Sequence, residues 1–187
     1  MKKEHNVKDI PFKQNLVFYV PCEGGSLMDK VGGSLPHTSS GCSITWDGEM
    51  KTYRFYANGT YKYAGLWQLK EPLDVYNGCT LFVDGEVLVD YGNKYNCYIS
   101  CDELQSGRDN VNFGHYRLTH YTRNDDRTII PDRHKFVCTW NDGYLRTYQD
   151  GVFCFEQSWP VPLTPNPATG IAVAQIHTNN YEFEMAV

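Results

Sequence analysis

The chain has no long apolar run, no basic excess and almost no helical periodicity, and each absence excludes a class. Seventeen Lys and Arg stand against 22 Asp and Glu, a net charge of −5. That balance lacks the basic patch of a nucleic-acid surface. Lys2-Lys3 is followed by Glu4-His5-Asn6 and not by an apolar stretch. No signal peptide and no membrane span are therefore expected. Gly-x-Ser-x-Gly is missing, as are a Cys/His pairing with a recognisable local signature and a phosphate-cradling glycine loop. The seven cysteines are an odd number without repeating spacing, which suits no disulfide framework. Cys79, Cys138 and Cys154 sit in strand-like runs, where a reduced Cys behaves as a small buried hydrophobe. Synthesis in a reducing cytoplasm is the expectation.

What the chain does have is turns, glycine and tyrosine. Aromatics make up 14%, with 14 Tyr, and Gly and Pro contribute 16 and 9 residues. That profile suits short strands joined by tight turns. The most informative stretch is His134–Val152. Phe136, Cys138 and Trp140 alternate along one strand, and Tyr144, Arg146 and Tyr148 along the next. Asn141-Asp142-Gly143 and Asp150-Gly151 punctuate them, and Asp-Gly supplies positive φ at low cost in a hairpin. The pattern predicts a three-strand meander.

That meander resembles the "W-x-x-V-x-x-T-W-D-G-x-L-x-L-Y-x-D-G" hairpin of laminin-G-like, concanavalin A-like jelly rolls. Leu16–Val20 with Glu23–Lys30 resembles that family's opening strand and loop. Phe55–Tyr61, Gly78–Val83 and Tyr181–Val187 resemble its later strands. The likeness covers roughly residues 15–187 and implies an all-β, two-sheet antiparallel β-sandwich. These are turn-and-strand motifs that specify a scaffold and carry no chemistry.

Residues 1–14 are polar and aperiodic and are expected to form an N-terminal arm, with one jelly-roll domain over 15–187. Strands are expected at about 15–20, 43–46, 52–56, 60–64, 79–83, 86–90, 95–100, 112–121, 134–140, 144–149, 152–156, 170–175 and 181–187. Leu66–Asn77 and the proline-rich Ser158–Thr169 are expected to be irregular. The chain stops inside an expected core strand, which suggests the ordered part of a longer protein.

Several constellations could carry chemistry. Cys97-x3-Cys101-x13-His115-x4-His120 has near zinc-finger spacing, but an unbulged strand sends His115 and His120 to opposite faces. Glu182 and Glu184 share one strand face at about 6–7 Å, a separation a glycosidase can use. The bland alternative puts Tyr181, Phe183 and Met185 in the core and both glutamates in solvent. Calcium is the one candidate cofactor, with Asp29, Asp109, Asn110, Asn112, Asp125 and Asp126 as oxygen-rich positions. For sugar recognition, aromatic faces stack on pyranose rings while Asn, Asp and Arg bond hydroxyls. Trp67, Trp159, Tyr116, Tyr121, Arg117 and Asn180 are the residues expected to do so, with Tyr63, Asn58 and Arg123 nearby.

The expectation is a non-catalytic recognition module that binds glycan or protein through its loops. The structural alternative is a phage virion component such as a head fibre, decoration or tail protein, multimeric and contacting virion neighbours. A glycoside hydrolase built on Glu182 and Glu184 ranks third.

Overall fold

The computed structural model describes residues 13–22, 25–60, 62–75, 78–90, 96–101, 132–158, 167–176 and 182–187. Among them, ten strands form two antiparallel sheets. In chain order they are β1 (Ser43–Asp47), β2 (Thr52–Asn58), β3 (Lys62–Leu73), β4 (Cys79–Asp90), β5 (Asn96–Cys101), β6 (Arg133–Asn141), β7 (Tyr144–Gln149), β8 (Val152–Ser158), β9 (Ala168–Ile176) and β10 (Glu182–Ala186). The larger sheet runs β1-β2-β10-β4-β6-β7-β8 and the smaller β3-β9-β5. This is the expected β-sandwich of jelly-roll type.

The meander forms for local reasons. Asp142 and Gly143 have φ of 52° and 77°, and Asp150 and Gly151 of 51° and 82°. Two consecutive positive-φ residues define the two-residue hairpin turn whose twist matches the flanking strands. Those turns set the β6–β7 and β7–β8 pairing. Phe136, Cys138 and Trp140 of β6 and Leu145 of β7 then all face inward.

Aromatic rings fill the space between the sheets. Tyr98 of β5 lies parallel to Phe183 of β10, with centroids 5.7 Å apart, and tilts against Phe136 at 4.6 Å. Trp67 of β3 meets Phe55 of β2 at 6.1 Å and Phe18 edge-on at 5.6 Å. Such pairs add about 0.5–1.5 kcal/mol each beyond the area they bury.

The strand expected at 15–20 is absent. Lys13–Asn15 form a single 3-10 turn and 16–22 run without regular structure, although Phe18 and Val20 still pack against the core. Leu66–Asn77 was expected to be irregular, yet β3 continues to Leu73. Pro72 falls where the β3–β9 register slips between Gln68 and Leu73, a place where a missing N–H costs little. His37 closes on Leu66 from the other edge of β3, each amide donating to the other's carbonyl at 2.8 Å. The expected break at Asp84-Gly85 is also absent, and β4 is one twelve-residue strand. A Cβ on Gly85 would stand 2.7 Å from the Ala186 carbonyl, so this glycine permits close strand approach and makes no turn. The strand expected at 112–121 and most of the 1–14 arm lie outside the described residues.

Candidate functional site

The outer face of the larger sheet carries the arrangement with most chemical content. On β4, Leu81 and Val83 face the core, so Phe82 between them faces out and is 54% exposed. Phe82 pairs with Val137 of β6, Val137 with Tyr148 of β7, and Tyr148 with Phe153 of β8. Directly paired residues project on the same side of a sheet. An apolar row therefore crosses four strands at right angles to them. Phe153 is 55% exposed and meets Tyr148 edge-on at 5.8 Å. At about 4.8 Å per strand step the row is roughly 14 Å long.

Charged groups flank this row in pairs. On one side Thr80, Thr139, Arg146 and Glu156 form the next row. Arg146 Nε donates to Glu156 Oε2 at 2.6 Å and its guanidinium lies 5.4 Å from the exposed Tyr144 ring. On the other side Arg133 donates through Nε to Asp84 Oδ1 at 2.6 Å and through Nη2 to the Asp84 carbonyl at 2.9 Å. Opposed charges so paired stay oriented at the surface while the rings between them remain free to stack.

The opposite half of the same face is polar. Arg54 of β2 bonds Glu184 of β10 at 2.7 Å and lies 3.7 Å from Asp47. Asn58 Nδ2 donates to the Tyr56 hydroxyl at 3.1 Å, and Tyr56 in turn bonds Glu182. Burial, followed by that bond to Glu182, pushes the Tyr56 hydroxyl above its ordinary pKa. Phe183 and Met185 face the core. The two glutamates thus share the outer face, as the bland reading held, but each has a partner on β2 and neither stands free in solvent.

Of the residues expected to bind a ligand, Trp67 is corrected. It is 1% exposed, and its indole Nε1 donates to the Leu27 carbonyl at 2.8 Å. A ring enclosed by Phe18 and Phe55 offers no face to a sugar. Trp159, Tyr116, Tyr121, Arg117 and Asn180 lie outside the described residues, as do Arg123, His115 and His120. Asp29 is no free calcium ligand: its carboxylate is buried and accepts the amides of Tyr19, Val31 and Gly32 at 2.9, 3.0 and 2.8 Å. The other oxygen-rich positions fall outside the described residues. Among the described residues no three His, Cys, Asp or Glu side chains converge on a metal position. None of their helices is long and apolar enough to cross a membrane.

Phe82, Tyr148 and Phe153 were missed as site residues because each sits in an ordinary strand alternation. The available signal was the outward parity of Phe82 between Leu81 and Val83. What joins the three is strand register, which no local pattern reveals.

No family model matches the chain, and no curated protein matches it. Its fold is similar to several solved structures. One is the binding domain of botulinum neurotoxin serotype D, with a TM-score of 0.54 and 12% identity over 88% of this chain and 45% of that one. Another is the receptor binding domain of the C/D mosaic serotype, at 0.55 and 11%, over 91% and 46%. A third is botulinum neurotoxin type C, described through its interaction with two ganglioside molecules, at 0.55 and 10%, over 91% and 45%. The chain spans a little under half the length of these proteins. Identities this low show the fold alone, a two-sheet β-sandwich of jelly-roll type, and the narrower laminin-G assignment is left without a matching family.

The expectation that the chain is non-catalytic is corrected. Two alginate lyases, one from polysaccharide lyase family 7, also match, at TM-scores of 0.45 and identities of 9% and 8%. A sandwich found among enzymes as well as binding domains does not exclude catalysis. At that TM-score the two lyases carry no argument for a lyase reaction here.

Proposed function

We propose that this protein is a carbohydrate-recognition module that holds a glycan against the outer face of its larger sheet. The observation that carries the reading is the outward-facing row Phe82–Val137–Tyr148–Phe153, exposed at its two ends and half-buried at Val137 and Tyr148, flanked by the Arg146–Glu156 and Arg133–Asp84 pairs. Sugar rings present apolar C–H faces and a rim of hydroxyls. Aromatic faces suit the first, and paired carboxylates and guanidiniums suit the second. A row of roughly 14 Å exceeds one pyranose and favours a chain of linked sugars. The toxin receptor-binding domains of like fold, one described with gangliosides, support a glycan over a small apolar ligand.

The test is binding of the full chain to a broad glycan array. Phe82→Ala and Tyr148→Ala run beside the parent, with thermal unfolding as the folding control. The expected result is saturable binding that falls at least tenfold in each variant, with little change in Tm for the exposed Phe82 and a modest loss for the half-buried Tyr148. Binding that survives both substitutions would place the ligand elsewhere and sink this site. A blank array with a well-folded, multimeric protein would instead favour an assembly role, with this face covered by a protein neighbour.

A further inference from the structure

The outer face of the larger sheet has a charge pattern as definite as its aromatic row. Strand register turns the carboxylates of Asp47, Asp84, Glu86, Glu156, Glu182 and Glu184 outward. It turns the cations of Arg54, Arg133, Lys135 and Arg146 to the same side. Among the described residues, acid therefore outnumbers base on this face. Each of these arginines is also committed. In all three Nε donates to a carboxylate: Arg54 to Glu184 at 2.7 Å, and Arg133 to Asp84 and Arg146 to Glu156 at 2.6 Å. Arg54 Nη1 also lies 3.7 Å from Asp47, and Arg133 Nη2 donates to the Asp84 carbonyl at 2.9 Å. Lys135 is the direct strand neighbour of Asp84 and projects on the same side.

We infer that the glycan held here is an uncharged chain of linked hexoses, and that the arginine–carboxylate pairs exclude chains bearing uronate or sialate. The inference rests on the proposed function, because it takes the row from Phe82 to Phe153 as the seat of the glycan. A sugar carboxylate is bound best by a guanidinium fork that is open to receive it in two parallel bonds. Here each guanidinium already has its Nε spent on a carboxylate of the protein. An acidic sugar would have to displace Glu156 or Asp84 and would then stand beside the group it displaced. Like charges so juxtaposed oppose binding.

Neutral hydroxyls meet no such conflict. A carboxylate oxygen keeps lone pairs after it has accepted from an arginine, and a guanidinium has five N–H donors. One hydroxyl can donate to the first and accept from the second while the pair stays closed. Phe82 and Phe153, exposed at the two ends of the row, take the apolar ring faces. The flanking pairs then act as a rim that serves groups able both to donate and to accept, which a hydroxyl is and a carboxylate is not.

The test measures binding of the full chain and its variants to immobilised oligosaccharides. The neutral series is cellohexaose, laminarihexaose and mannohexaose; the charged probes are hexagalacturonate, a sialylated lactosamine chain and hexaglucosamine. The expected result is binding to a neutral chain that weakens about tenfold in Phe82→Ala. It should change little between ionic strengths of about 0.01 M and about 1 M, over which the screening length falls from about 30 Å to about 3 Å. Glu156→Gln releases Arg146, and Asp84→Asn releases the Nε of Arg133. Each should gain binding to hexagalacturonate by about tenfold, a gain that high salt removes. The two carboxylates are 42% and 38% exposed, so Tm should change little, and either variant carries the test if the other folds poorly. Neutral binding that survives Phe82→Ala would overturn the site and this inference with it. Binding that is lost in Phe82→Ala but is directed at a charged probe would keep the site and overturn the inference. So would hexagalacturonate left unbound by both Glu156→Gln and Asp84→Asn. No binding to any probe would overturn the glycan reading and the inference together.

Discussion

The indole Nε1 of Trp67 donates to the Leu27 carbonyl at 2.8 Å, joining the loop before β1 to the core side of β3. One side chain thus does two jobs. Its rings fill the space between Phe18 and Phe55, and its single polar atom anchors a segment that has no strand partner of its own.

Separating those jobs gives the first prediction. Trp67→Phe keeps much of the packing and loses the hydrogen bond, which should cost about 1–3 kcal/mol. Trp67→Ala also opens a cavity and should cost about 3–5 kcal/mol. Urea unfolding measures both. Equal losses in the two variants would mean that the bond to Leu27, and not the ring packing, dominates.

Asp29 organises the same loop from its other end. Its enclosed carboxylate accepts three backbone amides, and removing it strands those donors. Asp29→Ala should cost about 3 kcal/mol, and Asp29→Asn less, because one amide oxygen can still accept. Denaturant midpoints in the presence and absence of calcium are the check. A calcium-dependent midpoint in the parent that vanishes in Asp29→Asn would restore this residue as a ligand.

Gly85 marks the closest approach of β4 to the end of β10. A methyl group there would stand 2.7 Å from the Ala186 carbonyl and 3.0 Å from the Met185 Cε. The methionine can move, but the carbonyl is held in the sheet, so Gly85→Ala should destabilise by about 1–3 kcal/mol. A neutral outcome in thermal unfolding would show that the strands part there without cost.

Asp150 gives a pH prediction. The Lys135 amide donates to its carboxylate at 2.9 Å, and His134 Nδ1 lies 2.6 Å from the other oxygen. The Lys135 amide first, and His134 second, hold Asp150 below its ordinary 3.8. A carboxylate depressed on folding stabilises the protein above the unfolded value, and that contribution fades as pH falls through the folded value. Stability of the parent should therefore drop from about pH 4 downward, and Asp150→Asn should flatten that part of the profile. Unfolding midpoints measured between pH 2 and pH 6 decide it; parallel profiles would count against the interaction.

Much of the fold was legible because its signals are local. The Asp142-Gly143 and Asp150-Gly151 turns need only two residues in the left-handed region, and the inward parity of Phe136, Cys138 and Trp140 repeats every second residue. Where the reading failed, the deciding contact came from far along the chain. Gly85 reads as a break until the end of β10 lies beside it. Leu66–Leu73 reads as loop until β9 pairs with it and His37 closes the other edge.

The candidate site divides in the same way. Strand alternation in the sequence alone set the outward parity of Phe82 and placed Phe183 and Met185 inward, because side-chain direction along a strand alternates with each residue. Only the tertiary structure decided that Trp67 is core and that Phe82, Val137, Tyr148 and Phe153 form one row. Each of those facts depends on which strands become neighbours and in what register, and that is settled by burial of the whole sandwich and not by any window of sequence.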